Sequence, residues 1–591
     1  MLFHAGFERF RGGFIGVDVF FVISGYLITS IILHDQQRNT FSLLRFYERR
    51  ARRILPALFV VMAATCVFSY AWMLPDELKN FGQSLISTTF FFNNVLLALT
   101  GDYWALASEF KPLLHTWSLG VEEQYYILFP LLMMLGWKVF RKRLAVTLGM
   151  AAVLSFTAAN WGLFRKPEFT FYFLPTRAWE ILIGALAAFY VTGRKGNTTK
   201  RVIEELLSGA GLCLIVASVF LIGRGNPVNS TWYLAAPTSG TALILLFSSE
   251  QTVAGRVLGW GPMVGVGLIS YSAYLWHQPI LSIARVYSKE PPATGVVAAL
   301  LVMTFILAYI TWRYVETPCR SREKLNRSTV FSGALAISIL FASYGFYLDR
   351  NYGIVSRIYD SSLVQAADLD KRIYNQRVFQ NKKDNFLAGE NLKLLVVGNS
   401  FGRDFVNMTA ETFDIEKVDI VYRDDFSQCI LPFENPVADA LYNASDVIVF
   451  ASGDVMEPCL ADNLDFARNR NKELFYIGGK SFGYNLNWIA RLKATERANQ
   501  WNRIASETLE RDAHAAEIIP SAHYISLLKP VVRNGYIPIT DTHGRLISID
   551  RAHVTKYGAV FFGQTVLARS RYGEVLKRWG ERRFPATAAS N

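Results

Sequence analysis

Leu394-Leu395-Val396-Val397-Gly398-Asn399-Ser400-Phe401-Gly402-Arg403-Asp404 decides how the last third of this chain folds. Four apolar residues predict a buried strand, Gly398 and Asn399 a turn, and the residues from Ser400 onward carry helical spacing. A strand that hands a serine to a helix N-terminus exposes a nucleophile at the carboxyl end of a parallel sheet. Downstream, Asp550-Arg551-Ala552-His553 places a carboxylate and an imidazole on one turn. A serine hydroxyl needs both: the imidazole takes its proton and the carboxylate fixes the imidazole tautomer. Ser400, Asp550 and His553 are therefore the candidate catalytic residues. The Ser400 backbone N–H is one expected oxyanion donor, with Gly453 and Asn485 as candidates for the second.

Around this stretch, apolar runs at Leu394 to Val397, Val418 to Tyr422, Asp446 to Ala451, Leu474 to Ile477 and His523 to Leu527 alternate with helical patterns. The longest helix is expected near Asn487 to Arg511. Such alternation predicts a three-layer α/β domain with a parallel sheet over 391–580, followed by a disordered tail at 581–591.

The residues before it have another character. The 591-residue chain is 51% hydrophobic and 14% aromatic, which excludes an ordinary soluble enzyme. Apolar spans at 13–33, 54–74, 118–137, 144–164, 177–192, 206–223, 233–249, 266–287, 291–316 and 328–348 predict a multi-pass α-helical membrane domain. The net charge of +13 comes largely from basic segments between spans: Arg45 to Arg53, Lys138 to Arg143, Arg194 to Arg201 and Arg313 to Arg327. These read as cytoplasmic loops, so the lipid bilayer is the expected partner and nucleic acid is not. They share one alternation only if 75–117 makes no net crossing, so Leu85 to Leu99 is expected to be re-entrant or peripheral. The final span then leaves the chain on the outer face. Residues 326–390 read as a linking transmembrane helix and a linker or wrapping segment. Cys66, Cys213 and Cys319 read as packing residues, whereas Cys429 and Cys459 either pair or remain free thiols. No metal-ligand spacing is present in the cysteines, and no metal is expected.

Charges in or beside a bilayer are costly and mark working sites or ion pairs. Arg49-Arg50-Ala51-Arg52-Arg53 either anchors the chain or offers guanidinium forks to the phosphates of a nucleotide-like donor. Glu122 and Glu123 open a span within His115-Thr116-Trp117-Ser118-Leu119-Gly120-Val121-Glu122-Glu123-Gln124-Tyr125-Tyr126, where one helix-capping charge would suffice. Arg177 and Glu180 sit at i, i+3, and His277 and Glu316 lie in or at the ends of later spans.

The C-terminal domain resembles the SGNH hydrolases, whose first block carries the serine and whose last is D-x-x-H; Asp550, His553, Thr555 and Gly558-Ala559 match the last block. Asn399 departs from the usual G-D-S, and the family's middle glycine and asparagine blocks find no match. Residues 4–320 resemble the acyltransferase-3 family through F-I-G-V-D-V-F-F-V-I-S-G-Y-L-I-T (Phe14 to Thr29), F-Y-E-R-R-A-R-R-I-L-P-A-L, the His115 to Tyr126 run, I-S-Y-S-A-Y-L-W-H-Q-P (Ile269 to Pro279) and Y-V-E-T-P-C-R. The family's R-x-x-R falls on Arg50 and Arg53, and its functional histidine on His4. A basic residue normally lies eleven positions before that histidine, ahead of Met1, so the first helix of the 1–325 domain is expected to be truncated.

The combination resembles bacterial O-acetyltransferases of surface polysaccharides. It implies acetyl-CoA as donor at Arg50 and Arg53, His4 with Glu122 or Glu123 in a membrane relay, and a periplasmic serine domain. The acceptor would be a sugar hydroxyl of lipopolysaccharide O-antigen, exopolysaccharide or peptidoglycan, or a lipid-linked precursor, at the bacterial inner membrane. The alternatives are a membrane-anchored extracytoplasmic esterase and a non-catalytic glycan export or binding partner.

Overall fold

The structure is a computed structural model and describes all residues except 101–105, 142, 164, 194–200, 223–230, 360–363, 370, 549 and 584–591. Packing divides the chain into two units. The first comprises Met1–Tyr70, Asn80–Arg285 and Pro292–Arg350; the second comprises Ala71–Lys79, Val286–Pro291 and Asn351–Asn591.

The first unit is helical. Among the described residues, seven helical segments are long and apolar enough to cross a bilayer: Glu8–Gln37, Leu43–Trp72, Leu144–Leu163, Pro167–Gly193, Arg201–Leu221, Thr294–Arg320 and Arg327–Arg350. The chain is a multi-pass membrane protein. The three other predicted spans fold as helices Thr116–Phe140, Trp232–Phe247 and Gly261–Tyr287, which are not among the seven. Leu85 to Leu99 is broken: helix Pro75–Thr89 stops, Phe91 takes a left-handed φ of 59°, and helix Asn93–Thr100 follows.

Small residues let these helices touch. A Cβ on Gly25 would sit 1.8 Å from the Ile181 carbonyl oxygen, and one on Gly184 would sit 1.9 Å from that of Val22. The reciprocal pair brings helix Gly16–Gln37 backbone to backbone with helix Leu174–Gly193, where dispersion replaces the missing hydrophobic drive.

Two of the basic segments correct the loop expectation. Arg45 to Arg53 lies inside helix Leu43–Trp72, because its Arg, Glu and Ala residues are good helix formers. Arg313 to Arg320 continues the preceding helix as a π-turn and a further helical turn. Of Arg194 to Arg201, only Arg201 falls within the described residues.

The second unit is an α/β fold around a five-stranded parallel sheet. Strands β1 (Leu392–Val397), β2 (Val418–Arg423), β3 (Val447–Gly453) and β4 (Glu473–Gly478) match four of the five predicted runs. After them come β5 (Trp501–Arg503), β6 (Tyr524–Ile525, the fifth run) and β7 (Tyr536–Pro538). The sheet order is β2-β1-β3-β4-β6, and β5 pairs with β7 in a separate antiparallel ribbon. Both faces of β1 are covered: Leu394 and Val396 enter one apolar core, Leu395 and Val397 the other. That is why the strand reads as a continuous apolar run. Val355, Ile358, Tyr359, Tyr374 and Val378 join the first core, so the segment ahead of β1 wraps the sheet.

The long helix expected near Asn487 to Arg511 does not form. Asn487–Arg491 and Ala494–Glu496 are single 3-10 turns, Asn499 adopts φ 54°, and β5 follows before helix Ser506–Ile518. Pairing of Trp501 with Pro538 and Arg503 with Tyr536 overrides the local helix propensity.

Candidate active sites

Ser400 begins helix Ser400–Ala410 where β1 ends. Asn399 caps that helix: its Oδ1 accepts the Phe401 N–H at 2.9 Å while its Nδ2 donates to the Ser452 carbonyl at 3.1 Å. Tyr422 Oη donates to the Asn399 carbonyl at 3.0 Å, fixing the turn from β2. The turn needs Gly398, because a Cβ there would lie 2.1 Å from the Ala451 carbonyl oxygen.

Asp550 grips its histidine three times. Its carboxylate lies 2.8 and 3.0 Å from His553 Nδ1 and accepts the His553 backbone N–H at 2.9 Å. Nδ1 therefore carries the proton, and Nε2 is the basic nitrogen; it is buried and has no hydrogen-bond partner among the described residues. The residues after His553 hold it in place. Thr555 caps helix Lys556–Thr565 by accepting the Gly558 N–H, and Gly558 packs where a Cβ would lie 2.0 Å from the Ile547 carbonyl oxygen.

The histidine turn and the serine helix meet. Phe401 and His553 have ring centroids 6.3 Å apart, and Asp404, one turn after Ser400, accepts the Val554 N–H at 3.3 Å. Asp404 is fully buried and pairs at 2.8 Å with buried Lys480, whose ammonium lies 3.9 Å from the Phe401 ring centroid. Asn375 donates to Asp404 at 2.7 Å. Sequence reasoning missed Lys480, Asp404 and Asn375; the one local signal was a lysine after Gly478-Gly479 at a strand end.

Of the two expected oxyanion donors, Gly453 ends β3 with φ 86°, and a Cβ on it would lie 3.6 Å from the Phe401 ring. Asn485 does not fit the role. Its Nδ2 donates to the Val286 and Ser288 carbonyls at 2.8 and 2.6 Å, so neither N–H is left for a substrate. Cys429 and Cys459 form a disulfide, with Cα atoms 5.2 Å apart.

The first unit gathers a second constellation. His4, His115, His277 and Glu122 line one cavity of about 300 Å³. Glu122 accepts from the hydroxyls of Ser24 and Tyr126, and the Tyr126 ring lies 5.7 Å from the Arg50 guanidinium carbon. Glu123 is buried beside it, and the charges of Arg50 and Arg53 act on both glutamates. The four arginines of the cluster divide into two kinds. Arg49 pairs with Asp35 at 3.3 Å and Arg52 with Glu48 at 3.0 Å, whereas Arg50 and Arg53 make no ion pair among the described residues. Arg177 is held by Asp18 at 2.6 Å and Glu180 at 3.3 Å, and Glu316 by Ser272 at 2.9 Å and by Arg320, so these are structural pairs.

The first unit thus sets buried carboxylates and histidines around a cavity in a multi-pass membrane protein, and the second unit packs the Asp550–His553 turn against the helix that Ser400 begins. More particularly, residues 1–313 match the model of the acyltransferase domain family, and the chain belongs to that family. It is 31% identical over 339 residues to the peptidoglycan O-acetyltransferase OatA of Listeria monocytogenes, covering 55% of this chain and 54% of that one. It is 27% identical over 342 residues to the O-acetyltransferase OatA of Staphylococcus aureus, covering 54% and 55%. The aligned region thus spans about half the length of the curated relatives it matches. No solved structure matches the chain.

Proposed function

We propose that this protein is a membrane O-acetyltransferase that takes an acetyl group from acetyl-CoA on the cytoplasmic side and delivers it to a sugar hydroxyl of a cell-envelope glycan. The observation that carries the proposal is the Asp550–His553 pair, with Nδ1 held and Nε2 free, packed against the helix that Ser400 begins in a chain of the acyltransferase family. The names of the relatives make peptidoglycan the first acceptor to test, ahead of O-antigen, exopolysaccharide or a lipid-linked precursor.

In this mechanism Arg50 and Arg53, which make no ion pair among the described residues, bind the donor phosphates. His4 accepts the acyl group, and Glu122 and Glu123 balance charge in the membrane relay. In the SGNH-like unit, Ser400 Oγ attacks the delivered acyl carbon as its proton passes to His553 Nε2; Asp550 stabilises the imidazolium, which gives that proton to the departing acyl carrier as the carrier–acyl bond breaks. The Ser400 N–H, with Gly453 as second donor, receives the oxyanion. His553 then takes the proton of the sugar hydroxyl as that oxygen attacks the acyl-serine, and returns the proton to Ser400. The Cys429–Cys459 disulfide supports an oxidising, periplasmic setting for this unit, and thus an inner-membrane location for the chain.

Acetyl-labelled donor supplied only to the cytoplasmic face of inverted vesicles should label enclosed glycan. Ser400→Ala should insert normally and abolish the labelling. Equal labelling by that variant sinks the serine mechanism, and loss of pre-existing acetyl groups would indicate an esterase instead.

A further inference from the structure

The cavity of the membrane unit holds three imidazoles, of which only His4 has a part in the mechanism above. The His4 and His277 ring centroids are 5.3 Å apart, and so are those of His277 and His115. His277 is thus the middle of a row. Centroids at this spacing can bring ring nitrogens to about 3 Å, the length of a hydrogen bond.

The tautomer of His277 is decided by its surroundings. Its Nδ1 lies 2.5 Å from the Tyr274 backbone carbonyl, which can only accept, so Nδ1 carries the hydrogen and Nε2 keeps its lone pair. His277 and His115 are only 4% and 3% exposed. His4 is fixed from the other side, because Arg285 donates to its backbone carbonyl.

We propose that His277 is the base that makes His4 competent to accept the acyl group. One ring nitrogen of His4 attacks the thioester carbonyl carbon, so a C–N bond forms as the C–S bond breaks and the electron pair leaves on sulfur. The proton on the other His4 nitrogen moves to His277 Nε2, leaving a neutral acylimidazole on His4. His277 Nε2 returns that proton to the departing thiolate, so thioester and imidazole become acylimidazole and free thiol. The inference rests on acetyl-CoA being the donor and His4 the acceptor.

The test uses the full chain in detergent carrying Ser400→Ala, so that transfer stops inside the membrane unit, with acetyl-CoA as probe and free thiol as readout. The parent should release a burst of thiol matching the amount of protein. Adding His277→Ala should slow the burst about 100-fold, and free imidazole, small enough for the vacated space, should restore much of it. His277→Gln should slow it similarly at unchanged half-saturation by acetyl-CoA. A burst in either variant as fast as the parent's overturns the proposal. So does a His277→Gln effect confined to half-saturation, or a His277→Ala loss that imidazole leaves untouched while His277→Gln keeps the parent's rate. Absence of a burst in the parent overturns the donor and His4 assignment itself, a separate and recognisable failure.

Discussion

Asn399 stands where the resembled hydrolases carry aspartate, and its bonds explain how the site accommodates it. An aspartate would still accept the Phe401 N–H but could not donate to the Ser452 carbonyl. Asn399→Asp should therefore lower the melting temperature, by about 1 kcal/mol of stability, while leaving the serine in place; thermal unfolding in detergent would show it. The Lys480–Asp404 pair makes a stronger prediction. Removing one member of a buried ion pair strands the other charge, at about 3 kcal/mol or more. Lys480→Met should unfold well below the parent, and Lys480→Met with Asp404→Asn should recover much of the difference. Equal melting of the single and double variants would show that the pair does not carry the helix. Ser400, Asp550 and His553 were legible in the sequence because each lies in a short local pattern. Lys480 was not, since its partner belongs to another element and only the packed sheet brings them together.

At the scale of elements, the turn bearing Asp550 and His553 is braced by segments distant in sequence. Arg551 takes φ 84° and donates to the Tyr484 carbonyl at 3.1 Å, and Phe482 N–H donates to the Arg551 carbonyl at 2.7 Å. Asn487 in the same loop accepts the Leu74 N–H and donates to Glu77, both at 2.7 Å. Burial pushes the Glu77 carboxyl up to about 7, against the opposing pull of Arg551 and Asn487. A carboxyl raised in the folded state favours folding while protonated, and that contribution is lost as pH rises from the ordinary carboxylate range through about 7. Glu77→Gln should thus match the parent near pH 5 and exceed it near pH 8, by on the order of 2 kcal/mol. Melting curves of the full chain at the two pH values test this, and parallel behaviour of parent and variant would count against it. The same region shows the limit of local pattern reading: the residues from Asn487 have helical composition, yet the β5–β7 pairing and these polar braces cost the helix its chance to form.

For the whole molecule, the disulfide offers a test of setting as well as strength. Cys429 and Cys459 are separated by 30 positions, and closing such a loop stabilises a fold by about 3 kcal/mol. A maleimide applied to unfolded, unreduced protein should label Cys66, Cys213 and Cys319, and all five cysteines only after reduction. Labelling of all five before reduction would remove the support for a periplasmic unit.

Sequence alone determined the two-part architecture, since bilayer-length apolar runs and two-sided buried strands are composition signals that survive without coordinates. It also placed Ser400 at the start of a helix after a strand and Asp550 and His553 on one turn, since each of those relations is local. Tertiary structure alone decided which arginines of the Arg49 to Arg53 cluster are already paired, and that Asn485 has no donor to spare. It also aligned His4, His277 and His115 along one cavity. The physical reason is the same in each case: a hydrogen bond, an ion pair or a ring contact depends on distance across packed elements, and no periodicity along the chain encodes that distance.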